Sequence, residues 1–261
     1  MSDKNTKVLA VAGKGGVGKT SIAAVMVKLL TQMHPGKKIL AIDADPAVGL
    51  STALGIEVKL TIDDIRKEVV STIEDGETKS ALELLGEARY RIMDAVVESN
   101  GFSFIAIGRP ESAGCYCKIN SYLKEVISLL KDQYDYVIID GEAGIEQINR
   151  RVMEKVTHLF LVTDSSKKGC QVIQTIKSVA DELVMYEKIG VIANRIPSVD
   201  GKVSDSVKTV MDTGNIPVLT YIPSDSTMAE FDLTGKNVFF IPDESSIATG
   251  VKEALSKLEL C

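Results

Sequence analysis

Near the start of the chain, Gly13-Lys14-Gly15-Gly16-Val17-Gly18-Lys19-Thr20 has the residue types and spacing needed to hold a phosphate chain. The run fits G-x-x-x-x-G-K-[ST]. In that pattern glycines let backbone N–H groups converge on phosphate oxygens, a lysine reaches the β- and γ-phosphates, and a hydroxyl meets Mg2+. Lys19 and Thr20 take the last two parts, and Ser21 joins them on the next residue. A glycine-rich turn between strand and helix can be mere chain reversal. Here every fixed position matches, an apolar run (8–12) precedes the loop and a helical pattern follows it. A helix starting there would aim its positive end at the same anion. The chemistry expected is binding of a nucleoside triphosphate.

Hydrolysis needs carboxylates near the γ-phosphate, and two apolar runs release acids at their carboxyl ends. One leads into Asp43-Ala44-Asp45-Pro46, the other into Asp140-Gly141-Glu142-Ala143-Gly144. In a parallel sheet both ends lie beside the phosphate loop. Asp45 is expected to orient the attacking water, Asp43 to stand in the outer sphere of Mg2+, and Asp140 to hold Mg2+ through water as a Walker B carboxylate. Gly144 would let its segment move as phosphate leaves. Asp-Pro is also an ordinary turn initiator, and an apolar run ending in Asp says little alone. Asn194 ends another apolar run and offers a donor and an acceptor to a base edge, unless it merely terminates a strand. Arg195 beside it is a further nucleotide-binding candidate, and the backbone around Ile222-Pro223-Ser224-Asp225 would close the other side of the base.

The third constellation is Cys115-Tyr116-Cys117, between an apolar run (102–107) with its Gly108-Arg109-Pro110 exit and a helical pattern (119–130). Both thiols then fall at the nucleotide end of the sheet. Two sulfurs leave the four-ligand shell of zinc or another thiophilic metal half complete. A twofold axis would bring the missing pair from an identical copy, and metal affinity would then be coupled to nucleotide state through the interface. Idle thiols or a strained local disulfide are the plainer readings. Cys170 and Cys261 have no spaced partner and are expected in the core and at a frayed terminus. His34, before Pro35, and His158, where a strand begins, are expected as caps or surface residues.

These residues need a scaffold, and the chain alternates β-branched apolar runs with helix-period segments from end to end. That is the signature of an α/β fold, a single doubly wound, mostly parallel sheet with helices on both faces. Strands are expected at 8–12, 38–42, 102–107, 136–139, 159–162, 189–193 and 218–221, with helices at 18–33 and 119–130 among those filling the gaps. The polar stretch 54–100, with Thr61 as an N-cap and a turn at 74–76, is expected to be peripheral and mobile. One domain spanning 1–261 is expected. A net charge of −6 argues against a nucleic-acid surface. No apolar run reaches the roughly 18 residues of a membrane span and no signal segment opens the chain, so a cytoplasmic location off the membrane is expected.

The motifs GKGGVGKT, DADP, DGEAGIE and GRPESAGCYC, in this order and spacing, resemble those of the deviant-Walker, MinD-like ATPases over nearly the whole chain. Within that family they are similar to the CooC-type accessory ATPases that serve nickel insertion into carbon monoxide dehydrogenase. The general likeness rests on Lys14, Lys19, Thr20, Asp45 and Asp140, and the subgroup on Cys115 and Cys117 with their lead-in. The resemblance implies ATP and ADP as nucleotides with Mg2+, and a homodimer in which Lys14 reaches the partner's nucleotide. It also implies one Ni2+, with Zn2+ as a substitute, on the paired cysteines. The implied client is a nickel-iron-sulfur enzyme, carbon monoxide dehydrogenase or acetyl-CoA synthase. One rival is an electron donor resembling nitrogenase iron protein, with an iron-sulfur cluster bridging the dimer. Its ligand cysteines are well separated, and one falls where this chain has no cysteine, at 141–144. The other rival is a MinD/ParA-like positioning ATPase. The stripe Ile247, Val251, Leu255 and Leu258 carries too few cations for a basic membrane anchor and reads as a docking helix.

Overall fold

A computed structural model describes residues 6–45, 49–74, 81–108, 128, 130–141, 155–199 and 202–261. The chain runs β1 (Lys7–Gly13), α1 (Lys19–Met33), β2 (Ile39–Asp43), α2 (Gly49–Leu54), α3 (Ile62–Glu74), α4 (Ala81–Asp94), β3 (Val97–Ser99) and β4 (Phe102–Ala106). It continues through β5 (Tyr136–Asp140), β6 (His158–Thr163), α5 (Lys167–Leu183), β7 (Lys188–Ile196), α6 (Asp205–Val210), β8 (Val218–Pro223) and α7 (Ser226–Thr234). A 3-10 turn (Val238–Phe240) and α8 (Ser246–Lys257) complete it. The strands form one sheet in the order β3-β4-β2-β5-β1-β6-β7-β8. Every pairing is parallel except β3 with β4.

Alternation along the strands divides the core. Leu9 and Val11 of β1 pack beneath α1 and α8, while Val8, Ala10 and Ala12 face the opposite layer. Both faces are covered, which is why the strands read as unbroken apolar runs. The seven expected strands are present with ends shifted by up to three residues. Helix α1 stops at His34, just before Pro35-Gly36, and its Lys28 ammonium is buried against the Ile241 carbonyl and Asp243 Oδ1, the latter at 2.6 Å. The stripe on α8 docks on the protein's own core, with Ile247, Val251, Leu255 and Leu258 all buried.

Two expectations need correction. The stretch 54–100 is not peripheral: α3 and α4 bring Ile62, Ile65 and Ile92 into the core, and β3 adds an edge strand. Thr61 does cap α3, its hydroxyl accepting from the Asp64 N–H at 3.2 Å while the Asp64 carboxylate accepts from the Thr61 N–H at 3.0 Å. Gly76 and most of the expected helix 119–130 lie outside the described residues.

His158 is not a surface residue either. It is 2% exposed, with Nδ1 2.7 Å from the Thr157 hydroxyl and Nε2 donating to the Leu258 carbonyl at 3.2 Å. Burial is the main cause of its pKa falling from 6.5 to about 4, with the Leu258 carbonyl opposing and the Lys7 and Lys188 charges assisting. The folded state therefore keeps the ring neutral while the unfolded chain protonates below pH 6.5. Stability from this group is intact above pH 6.5 and declines as pH falls towards 4, by up to about 3 kcal/mol. Subtracting the pH–melting curve of His158→Gln from that of the wild type should show this loss. A flat difference between pH 7 and 4.5 would refute it. His34 caps α1, stacks on Tyr136 at 4.9 Å and bonds the Leu260 carbonyl at 2.8 Å. Cys170 is buried and Cys261 exposed.

Candidate functional site

The loop between β1 and α1 is set by glycines at positions where a side chain would not fit. Gly13 has φ +155, and a Cβ there would meet the Val162 carbonyl at 2.2 Å; Gly18 has φ +90, and a Cβ would meet Asn194 Nδ2 at 2.6 Å. The left-handed φ at Gly18 is also one that other residues avoid. Lys19 is buried, with Nζ 3.2 Å from the Lys14 carbonyl. The Lys14 ammonium lies 3.4 Å from Asp164 Oδ2. Burial pushes the Asp164 pKa up, yet the Ser166 hydroxyl, the Ser166 N–H and Lys14 together hold it below its ordinary value.

Asp140 ends β5 level with Val11 of β1 and Asp43 of β2, so parallel register brings both carboxylates beside the loop. Asp140 is 1% exposed, and neither of its oxygens has a hydrogen-bond partner in good geometry among the described residues. Burial raises its pKa to about 7; the Thr20 hydroxyl and the Lys19 charge pull down, and Asp43 and Asp45 push up. Asp43 is pushed to about 6, again chiefly by burial, although its oxygens accept from the N–H groups of Asp45 at 3.1 Å and Leu50 at 2.9 Å. Asp43 thus holds the turn that carries Asp45. A buried carboxylate without a well-aligned donor among the described residues, next to a threonine hydroxyl and a lysine, fits a divalent cation. Thr20 and Asp140 are the residues that would hold Mg2+.

On the far side of the loop a cavity of about 520 Å³ opens between the ends of β7 and β8. Ser21, Asn194, Arg195, Ser224 and Asp225 line it, and Met228 closes part of the wall. Ile222 points its side chain into the core, which leaves its backbone at the cavity end of β8. Asp225 uses its carboxylate to cap α7 and to accept from the Ile247 N–H, both at 3.0 Å. Asn194 gives its Nδ2 hydrogen to the Val17 carbonyl at 2.8 Å, and Arg195 donates from Nη1 to the Gly16 carbonyl at 2.8 Å. Sequence reasoning missed Asp164 and Asp232, which no motif marks. Gly144, Arg109, Cys115 and Cys117 lie outside the described residues. Among the described residues no cluster of His, Cys, Asp and Glu is placed to hold a metal ion, and no helix is long and apolar enough to cross a membrane.

A P-loop at the carboxyl end of a parallel sheet, with two buried aspartates beside it, defines a nucleotide-hydrolysing class of protein. Residues 8–238 match the family model of the CobQ/CobB/MinD/ParA nucleotide-binding domain, and the chain belongs to that family. It is 34% identical over 253 residues to an uncharacterized ATP-binding protein of Methanocaldococcus jannaschii, covering 96% of this chain and 98% of the relative. It is 28% identical over 242 residues to the carbon monoxide dehydrogenase accessory protein CooC of Rhodospirillum rubrum, covering 88% of this chain and 89% of the relative. The fold matches that of the septum site-determining protein MinD of Pyrococcus horikoshii, solved with Mg-ADP. The TM-score is 0.67 and the identity 21%, over 97% of this chain and 96% of that one. The protein is an ATP-binding P-loop ATPase.

Proposed function

We propose that this ATPase works as a homodimeric metallochaperone. It takes Ni2+ as cargo on Cys115 and Cys117 from both copies and delivers it to carbon monoxide dehydrogenase or acetyl-CoA synthase. The observation that carries the reading is the Cys-x-Cys pair in a chain similar to a carbon monoxide dehydrogenase accessory protein over most of its length. Four thiolates from two copies complete the shell that a single pair leaves open.

In this reading residues 13–20 cradle the phosphates, and Lys19 draws charge off the β- and γ-oxygens. Lys14 leaves Asp164 to reach the partner's nucleotide, and Asp45 orients the water. Mg2+, when bound near Thr20 and Asp140, would neutralise charge on the transferred phosphoryl group. Asn194 and the backbone at 222–225 flank the base.

The test is anaerobic metal analysis with oligomer mass, with and without ATP. One Ni2+ per dimer is expected in the wild type, Zn2+ competing for the same site. The double variant Cys115→Ala/Cys117→Ala should lose it while ADP binding is unchanged. Tight stoichiometric nickel in that variant, or a monomer under every condition, refutes the proposal. A broad visible band in the purified protein would favour an iron-sulfur electron donor instead.

A further inference from the structure

We propose that Asp232, on α7, is a positioning residue for the phosphate loop. It acts at a distance through Arg195 and Ser21. Its carboxylate accepts from the Ser21 hydroxyl, with oxygens at 3.2 and 3.3 Å, and lies 3.5 Å from Nη2 of Arg195. The other arm of that guanidinium, Nη1, donates to the Gly16 carbonyl at 2.8 Å. One acidic side chain from the C-terminal third of the protein therefore grips the loop through Arg195 and the first turn of α1 through Ser21.

Two features make this more than a surface ion pair. Arg195 has φ +56, a left-handed backbone that residues other than glycine avoid, so its main chain is held where the side chain needs it. The neighbouring Asn194 donates to the Val17 carbonyl, so consecutive carbonyls, Gly16 and Val17, are both drawn towards the end of β7. In a planar trans peptide the N–H points opposite to the C=O. Fixing those two carbonyls outward turns the N–H groups of Val17 and Gly18 the other way, ready to donate to a phosphate. Arg195 is half exposed. Without the Asp232 carboxylate it would be free to leave the Gly16 carbonyl, and the peptide it holds would be free to turn.

The inference rests on the loop holding nucleotide phosphates and not on nickel, so failure of the metal reading leaves it standing. The test compares ADP with AMP, which lacks the β-phosphate, by competition against a fluorescent ADP. Asp232→Asn should raise the ADP Kd about tenfold, equivalent to about 1.4 kcal/mol, and leave the AMP Kd within about twofold. At saturating ATP, kcat should stay within about twofold while KM rises, because the loop's grip on phosphate is common to ground and transition states. Arg195→Gln should likewise raise the ADP Kd. The double variant should be no worse than the worse single one, since both break one connection. Asp232→Glu should recover most of the ADP affinity. Ser21→Ala, which removes a single hydroxyl, should weaken ADP selectively should Asp232→Asn fold poorly. Equal losses for ADP and AMP would mean that Asp232 touches base or sugar. Multiplying losses in the double variant, or an unchanged ADP Kd, would equally overturn the proposal.

Discussion

Asp140→Asn should lower Mg2+-dependent ATP hydrolysis by about a hundredfold, the size of loss seen when an outer ligand of a metal site is removed. The same change should raise the melting temperature of the nucleotide-free protein at pH 8. The two effects share one cause. The carboxylate is buried without a well-aligned donor among the described residues, and burial lifts its pKa from 3.8 to about 7. Between those values the unfolded chain is ionised while the folded one keeps its proton, so stability falls as pH rises through the window and stays low above it. The full linkage amounts to about 4 kcal/mol. Asparagine still buries an amide, so a gain of about 2 kcal/mol, or roughly 5 °C, is the expected net result. His158 pushes the opposite way over much of the same window, so only the difference between variant and wild type isolates Asp140. Calorimetry at pH 5 and 8 measures it. An unchanged melting temperature at pH 8 would show that the carboxylate is already satisfied.

Lys19→Ala should weaken ADP binding by about a hundredfold, the worth of two charge-assisted hydrogen bonds in a sheltered site. The Lys19 ammonium lies over the Lys14 carbonyl, a short reach from any phosphate in the loop. Its loss has a second consequence, because the Lys19 charge is one of the influences holding down the pKa of Asp140. Without it Asp140 stays protonated at higher pH, and the Mg2+ dependence of ADP binding at pH 7 should fall further than at pH 8.5. Combined with Asp140→Asn, the losses should be less than multiplicative, since the two groups act on one another. Arginine should not substitute, because a planar fork does not fit where a compact ammonium is buried. Titration of ADP at the two pH values decides the matter, and affinity within threefold of wild type would refute the role.

How much of this was legible beforehand follows from distance along the chain. The phosphate loop and the acids at the ends of β2 and β5 are local patterns, so spacing alone placed them beside one another once the sheet was taken as parallel. Asp232 was invisible because its partner Ser21 is 211 positions away and neither residue belongs to a motif. One of the two amide hydrogens of Asn194 goes to the Val17 carbonyl, 177 positions earlier, a contact that no local pattern shows. The stretch 54–100 looked peripheral because its charged outer faces outnumber the few isoleucines that α3 and α4 bury. His158 looked exposed because one polar residue at a strand start gives no sign of the C-terminal carbonyl that covers it.

The placement of β1 between β5 and β6 bears on how the protein is made. Val8 bonds to Thr157 across 149 positions, so the first strand to leave the ribosome waits for partners from the second half of the chain. At ordinary synthesis rates that delay is about 10 to 30 seconds, during which α1, with most of its apolar residues destined for the core, lacks its packing against β5 and α8. Nascent chains halted before β6 should attract holdase chaperones and fail to retain ATP, and no amino-terminal fragment can serve as a miniature of this enzyme.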